Sequence, residues 1–155
     1  MKTHIRHAID TDFPILLSID EACFEREIAY DSVELSFLMK RPGAETIILE
    51  EEGAIAAFLL MEVNRRRKRA TVVTLDVRSE KRRSGFGSDL LRHSEGILHG
   101  YGVQAYDLQV DTRNDGAISF YRKHGFEVER RLKKYYPGGH DGWQMVKRFL
   151  KSAGQ

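Results

Sequence analysis

Arg82-Arg83-Ser84-Gly85-Phe86-Gly87 stands between a strand-like run, Ala70 to Val77, and a helix-like run, Ser88 to Leu98. Two glycines one residue apart at the mouth of a helix, preceded by arginines, present backbone N–H groups to an anion. The helix dipole and the missing Cβ atoms both favour its close approach. The stretch therefore predicts a grip for a diphosphate-bearing cofactor. Two familiar loops fail the residues around it. A Walker A loop needs Gly-Lys-Ser/Thr, and the chain has Gly87-Ser88-Asp89. A dinucleotide fingerprint needs a small residue where Leu90 stands and a βαβ setting, whereas three strands precede this loop without helices between them.

Working outward, Lys2 to Ile9 alternates as a strand, and Asp10 or Asp12 caps a helix running through Phe24. On that helix Phe13, Leu16, Leu17, Asp20 and Phe24 keep helical spacing, with Asp20 the polar exception. Asp31-Ser32-Val33-Glu34 reads as a capping box for a second helix ending at Arg41-Pro42-Gly43. Glu45–Glu50, Ala54–Val63 and Ala70–Val77 read as strands, Val103–Val110 as a strand and Asn114–Lys123 as a helix. Phe126–Leu132 and Trp143–Leu150 close the chain around a glycine-rich loop. The order β-α-α-β-β-β-α-β-α-β-β predicts an α/β mixed sheet, one layer flanked by helices, in a single domain over residues 1–155.

Net charge of +2 is too small to argue for nucleic acid, and direct nucleic-acid binding is not expected. Cys23 is the only cysteine, so no disulfide forms within the chain. The N-terminus carries no signal-like apolar run, and Ala54–Met61 is too short to span a bilayer. A cytoplasmic protein with no membrane contact is expected.

The pattern Arg82-x-x-Gly85-x-Gly87 after Leu75-Asp76-Val77 resembles the acetyl-CoA loop of the GNAT acetyltransferases. Leu108-Gln109-Val110, Asn114, Ala117, Phe120-Tyr121 and Gly125-Phe126 resemble the second motif of that family at matching spacing. Tyr135-Tyr136-Pro137 with Gly139, Asp141 and Met145 looks like the tail of RimI-type N-terminal acetyltransferases. So does Cys23-Phe24 with Tyr30 and Asp31. The resemblance implies an enzyme that moves the acetyl group of acetyl-CoA directly to an amine, with CoA as product. It places the pyrophosphate on Arg82, Arg83, Ser84, Gly85, Phe86, Gly87 and Ser88, and the pantetheine arm on Leu75, Asp76 and Val77. An N–H near Val77 would hold the thioester oxygen. Asn114 and Ala117 would also bind the cofactor, and Tyr121 would be the general acid. Phe24, Glu27, Tyr30, Asp111, Tyr135 and Tyr136 would wall the acceptor slot, and no metal is implied.

One position departs from the RimI pattern. Gln109 stands where that subfamily carries a glutamate base, and an amide cannot take a proton. Glu27, Asp76, Asp107 and Asp111 are the alternatives, and alternation puts Asp107, Gln109 and Asp111 on one strand face. At pH 7 an α-amine of pKa about 7.8 is roughly one-seventh neutral, and lysine near 10.4 is neutral in about one molecule in 2,500. Neutral lysine thus costs about 4.6 kcal/mol against about 1.2 for an α-amine. A site short of base fits a protein or peptide N-terminus, including a ribosomal protein, better than a lysine. A small amine (polyamine or amino sugar) and a silent acyl-CoA-binding module are the competing readings.

Other features read as ordinary. Arg65-Arg66-Arg67-Lys68-Arg69 fits a solvated hairpin tip, and Cys23 fits a small core residue rather than an acetyl-carrying nucleophile. His140 reads as a surface-loop residue, and Trp143 either fills a core gap or narrows the slot.

Overall fold

The computed structural model describes residues 2–24 and 29–150. Its elements are β1 (Thr3–His7), α1 (Phe13–Cys23), α2 (Ser32–Lys40), β2 (Ala44–Glu51), β3 (Ala54–Asn64), β4 (Arg69–Val77), α3 (Phe86–Gly100), β5 (Ala105–Asp111), α4 (Asp115–Lys123), β6 (Glu127–Tyr136) and β7 (His140–Arg148). The strands form one seven-stranded sheet in the order β1-β2-β3-β4-β5-β7-β6. Only β4 and β5 pair in parallel; their neighbours in the sheet are antiparallel.

The sheet carries a core on each face because β3 is apolar on both. Leu59 and Met61 pack with Phe86, Leu90, Leu91 and Leu98 of α3. Phe58 and Leu60 pack with Leu16 and Ile19 of α1 and Leu35 of α2. Such two-sided burial is what a central strand with continuous apolar sequence requires.

The helix starts follow local chemistry. Asp31 accepts from Glu34 N–H at 2.8 Å while the Glu34 carboxylate accepts from Asp31 N–H, so the expected capping box forms. The first helix splits. Asp10–Asp12 make a 3-10 turn, because Asp12 accepts from Ile9 N–H and from the Arg6 guanidinium, and α1 then begins at Phe13. Pro14 sits in its first turn, where a missing N–H costs nothing.

One boundary differs in a way that matters. Tyr135 and Tyr136, expected in a glycine-rich loop, belong to β6, and Tyr136 pairs with His140. Only Pro137-Gly138-Gly139 forms the tip, with both glycines at positive φ. The hairpin sets the two tyrosines on a strand rather than on a free loop.

Candidate active site

β4 and β5 pair only from Arg69 to Val72 with Ala105 to Leu108. Beyond Val72 the strands part, and the wedge between them opens toward Val77. A β-bulge helps to turn β4. Met61 faces Val72 and Leu60 faces Thr74, so Val73 has no partner on β3. After the bulge, Arg78 N–H donates to Ala56 O on β3. Alternation then turns the Leu75 and Val77 peptide groups away from β3, into the wedge. Those of Asp76 turn toward β3. The Val77 carbonyl accepts a hydrogen bond from Cys23 Sγ at 3.3 Å.

The arginine-glycine loop lies beside the mouth of the wedge. Arg83 has φ +66° and Gly85 φ +83°, and Gly85 caps α3 in the left-handed conformation. This turn leaves the N–H groups of Phe86, Gly87 and Ser88 without intrahelical acceptors, while Asp89 N–H is the first to bond back, to Gly85 O. The two glycines do different work. A Cβ on Gly85 would meet open space, so its φ is the reason for glycine; a Cβ on Gly87 would come within 3.4 Å of the Phe120 ring and 3.7 Å of Val77. Ser88 Oγ lies 2.8 Å from His124 Nε2, tying the loop to the end of α4.

Across the wedge, Asn114 Oδ1 accepts from Ala117 N–H at 3.1 Å and caps α4. That helix carries Tyr121, which is 8% exposed and lies edge-on to Phe120 and Phe126. Burial raises the Tyr121 pKa, and the Asp76 charge adds to it. The phenol therefore keeps its proton until something more basic develops beside it.

On the α1/α2 face, Tyr30, Leu38, Arg41, Glu62, Thr71, Val73, Gln109 and Tyr135 line a groove of about 300 Å³. It gathers two of the expected acceptor residues, Tyr30 and Tyr135, with Gln109. Tyr135 and Tyr136 stack edge to face at 4.9 Å, and Tyr30 is pushed up to about 12, first by burial and then by the Asp20 charge. Gln109 donates to Gln144 Oε1 at 2.8 Å. The neighbouring carboxylates are engaged. Asp107 takes the Thr71 hydroxyl and the Arg69 guanidinium, and Asp111 takes Arg113, which holds its carboxyl below the usual range. Phe24 is the C-terminal cap of α1, and Glu27 lies outside the described residues.

Residues 5–126 match the Acetyltransferase (GNAT) family. The chain belongs to that family. It is an acetyl-CoA-dependent N-acetyltransferase. It is 28% identical over 154 residues to an N-alpha-acetyltransferase of Sulfurisphaera tokodaii, covering 92% of this chain and 90% of the relative. It is 27% identical over 140 residues to the L-amino acid N-acetyltransferase AaaT of Escherichia coli, covering 84% and 86%. Among solved structures, the ribosomal-protein-S18-alanine N-acetyltransferase of Escherichia coli shares its fold with TM-score 0.87, at 24% identity over 99% of this chain and 98% of that one.

The acetyltransferase fits acetyl-CoA on its own geometry. The left-handed cap at Gly85 and the free N–H groups after it suit a pyrophosphate, and the main chain of Leu75 and the Val77 N–H, which have no partner on β5, suit an amide-bearing arm. Sequence reasoning did not bring together the buried trio at the end of β4, Asp20, Thr74 and Asp76, exposed by 0%, 6% and 1%. Its traces in the sequence are Asp76, named among the alternative bases, and Asp20, the polar exception on α1. Cys23 packs, half-buried, at the edge of the α1/α2 core, and its thiol also reaches the wedge. Burial raises its thiol pKa, which disfavours the thiolate that a nucleophile needs.

Elsewhere the acetyltransferase settles two open positions. Arg65 lies 3.6 Å over the Tyr101 ring and Arg69 pairs with Asp107, so the basic hairpin run is anchored at both ends. Trp143 pairs with Val110 and packs on the α3/α4 core, away from the groove. Among the described residues no group of three or more His, Cys, Asp or Glu could hold a metal ion, and no helix is long and apolar enough to cross a membrane.

Proposed function

We propose that the acceptor is the α-amine of a protein or peptide N-terminus, as for RimI-type enzymes, with ribosomal proteins as one candidate class. The groove is the observation that supports this most directly. It runs from Gln109, beside the wedge, past the aromatic walls of Tyr30 and Tyr135 to the Arg41–Glu62 pair, so it has room for chain beyond the amine. The engaged carboxylates favour an α-amine over lysine on the energetic ground given above. They also disfavour a polyamine, because Glu62 is paired with Arg41 and Asp31 caps α2.

In this reading residues 1–155 act as one N-acetyltransferase domain, in a cytoplasmic setting. Acetyl-CoA supplies a thioester. Phe86, Gly87 and Ser88 would bind the pyrophosphate by their N–H groups, with Arg82, Arg83 and Ser84 beside them, and Asn114 and Ala117 would frame the far side. Val77 N–H would donate to the thioester oxygen, where negative charge grows. Tyr121 would give its proton to the sulfur as the C–S bond breaks. Phe24, Glu27, Tyr30, Asp111, Tyr135 and Tyr136 would hold the acceptor.

A panel of acceptors tests the reading: short peptides with free N-termini, the same peptides N-blocked but bearing lysine, free L-amino acids and polyamines. Preference for the free-N-terminus peptides is expected. Equal turnover of the blocked lysine peptides refutes it. A preference for free amino acids would support instead the small-amine reading, which the likeness to AaaT favours. CoA binding with no transfer to any acceptor would leave a silent binding module.

A further inference from the structure

The acetyltransferase has an amide, Gln109, between Asp107 and Asp111 of β5, yet it buries two other carboxylates beside the wedge. Asp76 directly precedes Val77, and consecutive Cα atoms lie about 3.8 Å apart. The Val73 bulge turns Asp76 to the α1/α2 face, the side of the sheet that bears the groove. There Asp76 meets Asp20 of α1. Thr74 Oγ1 lies 2.6 Å from Asp76 Oδ1 and 3.4 Å from Asp20 Oδ1, and Tyr30 N–H donates to Asp20 Oδ2 at 2.9 Å.

Asp76 Oδ2 is different. It is sealed from solvent and has no hydrogen-bond partner among the described residues. A carboxylate oxygen buried against a second carboxylate is satisfied by a proton of its own, shared across the pair. The site is thus a slot for one proton, empty when both groups are ionised. We propose that the Asp20–Asp76 slot takes up the proton that the acceptor ammonium must lose, the task that Gln109 cannot perform. The proposal rests on the acceptor reading above.

Elimination supports the choice. On the same face Asp107 is bound by Thr71 and Arg69, Asp111 by Arg113 and Glu62 by Arg41. The groups facing Asp76 are Asp20 and Cys23 of α1, Tyr30 after it, Thr74 on β4, Arg82 of the cofactor loop and Tyr121 of α4. Burial and then Asp20 raise the Asp76 pKa well above the usual carboxylate range, against smaller opposing effects of Thr74 and Arg82. A carboxyl so shifted moves toward working pH, where a general base is most effective.

The protons balance. The acceptor nitrogen enters with three and keeps one in the amide. One passes through an intervening water to Asp76 Oδ2, freeing the lone pair that forms the N–C bond, and returns to solvent by the same route when the product leaves. The other restores Tyr121, whose own proton has gone to the sulfur as the C–S bond broke.

Two measurements test the slot. In cofactor-free wild-type protein, carbon-13 NMR of the aspartate carboxyls is followed across pH. One carboxyl is expected to keep its proton well above the range in which an ordinary aspartate, with pKa about 3.9, loses it, and its signal is expected to vanish in Asp76→Asn. Titration of every aspartate below about pH 5 overturns the proposal. In single-turnover acetylation of a free-N-terminus peptide, Asp76→Asn is expected to slow transfer about 10²-fold and to lose the alkaline-rising limb of the wild-type pH profile, with CoA affinity retained. Glu27→Gln runs alongside. A wild-type profile in Asp76→Asn, or loss of the limb in Glu27→Gln instead, overturns it. Should the wild-type enzyme acetylate no α-amine, the acceptor reading falls by itself and the carboxyl titration still decides the slot.

Discussion

Gly85→Ala separates the conformational part of the arginine-glycine loop from its proposed contact with the cofactor. Gly85 sits at φ +83° with open space where a Cβ would go, so the substitution meets no clash and pays only for the left-handed conformation. That conformation costs an L-residue about 1–2 kcal/mol, and the stiffer unfolded chain returns part of it, which leaves a net loss of about 1 kcal/mol. For a chain of this size the midpoint of thermal unfolding should fall by about 2–4 °C. Gly87→Ala is the control. Gly87 has no positive φ, and its new methyl meets the Phe120 ring at 3.4 Å, so a helix-propensity gain of up to about 1 kcal/mol is set against a small shift of the ring. Its stability should stay near wild type. Unfolding without cofactor reads the first quantity, and calorimetric titration with CoA reads the second. In Gly85→Ala, CoA should bind about tenfold more weakly, or about 1.4 kcal/mol, because the open space at its Cβ is the approach to the N–H groups. A Gly85→Ala protein as stable as wild type would refute the left-handed cap. Unchanged CoA affinity would refute the approach.

Further outcomes follow from single contacts. Tyr121→Phe should lower kcat by about 10²-fold or more while CoA binding survives; full activity in pre-steady-state assays would remove the phenol from the acid role. Gly142→Ala places a methyl 3.1 Å from the Tyr136 ring and 3.4 Å from Val110 O, so it should raise KM for peptide acceptors while leaving CoA affinity intact. Asp12 is held below the usual carboxylate range by Arg6, so its contribution is present above the unfolded value of about 3.9 and is lost as pH falls through the depressed one. Urea unfolding between about pH 5 and 3 should therefore show wild type losing roughly 1–2 kcal/mol more than Asp12→Asn.

Much of this architecture is legible in short stretches because short-range chemistry sets it. The Asp31–Glu34 box, the Asn114 cap and the glycine before Phe86 each fix a helix start within a few residues. What local pattern misses is sidedness. Strict alternation along Ala70–Val77 would put Ala70, Val72, Thr74 and Asp76 on one face, and all four are indeed buried. The bulge at Val73 breaks that face in two. Ala70 and Val72 stay with the α3 core, whereas Thr74 and Asp76 cross to α1. Burial with unbroken period two thus hides a reversal, and a reversal is a property of pairing with β3 that no window of β4 contains. Asp20 is opaque for a related reason: a polar residue on an apolar helix face has meaning only when its partner on another element is known.

The amide at Gln109 also has a physical setting that residue type alone does not convey. Asp107 and Asp111 flank it two residues away on the same strand face, about 7 Å along the strand. A glutamate between them would feel about 2 kcal/mol of repulsion from each at an effective dielectric near 20, before their arginines offset it. Gln109 instead makes a neutral hydrogen bond to Gln144, while Asp107 pairs with Arg69 and Asp111 with Arg113, which holds the Asp111 carboxyl below the usual range. Like charge at Asp20 and Asp76 has the opposite consequence. Arg82 acts there only as a smaller opposing effect, so the repulsion is relieved by a proton rather than by an arginine. The same repulsion that makes β5 a poor place for one more carboxylate makes the buried pair behind Val77 a place where a proton can be taken and given up.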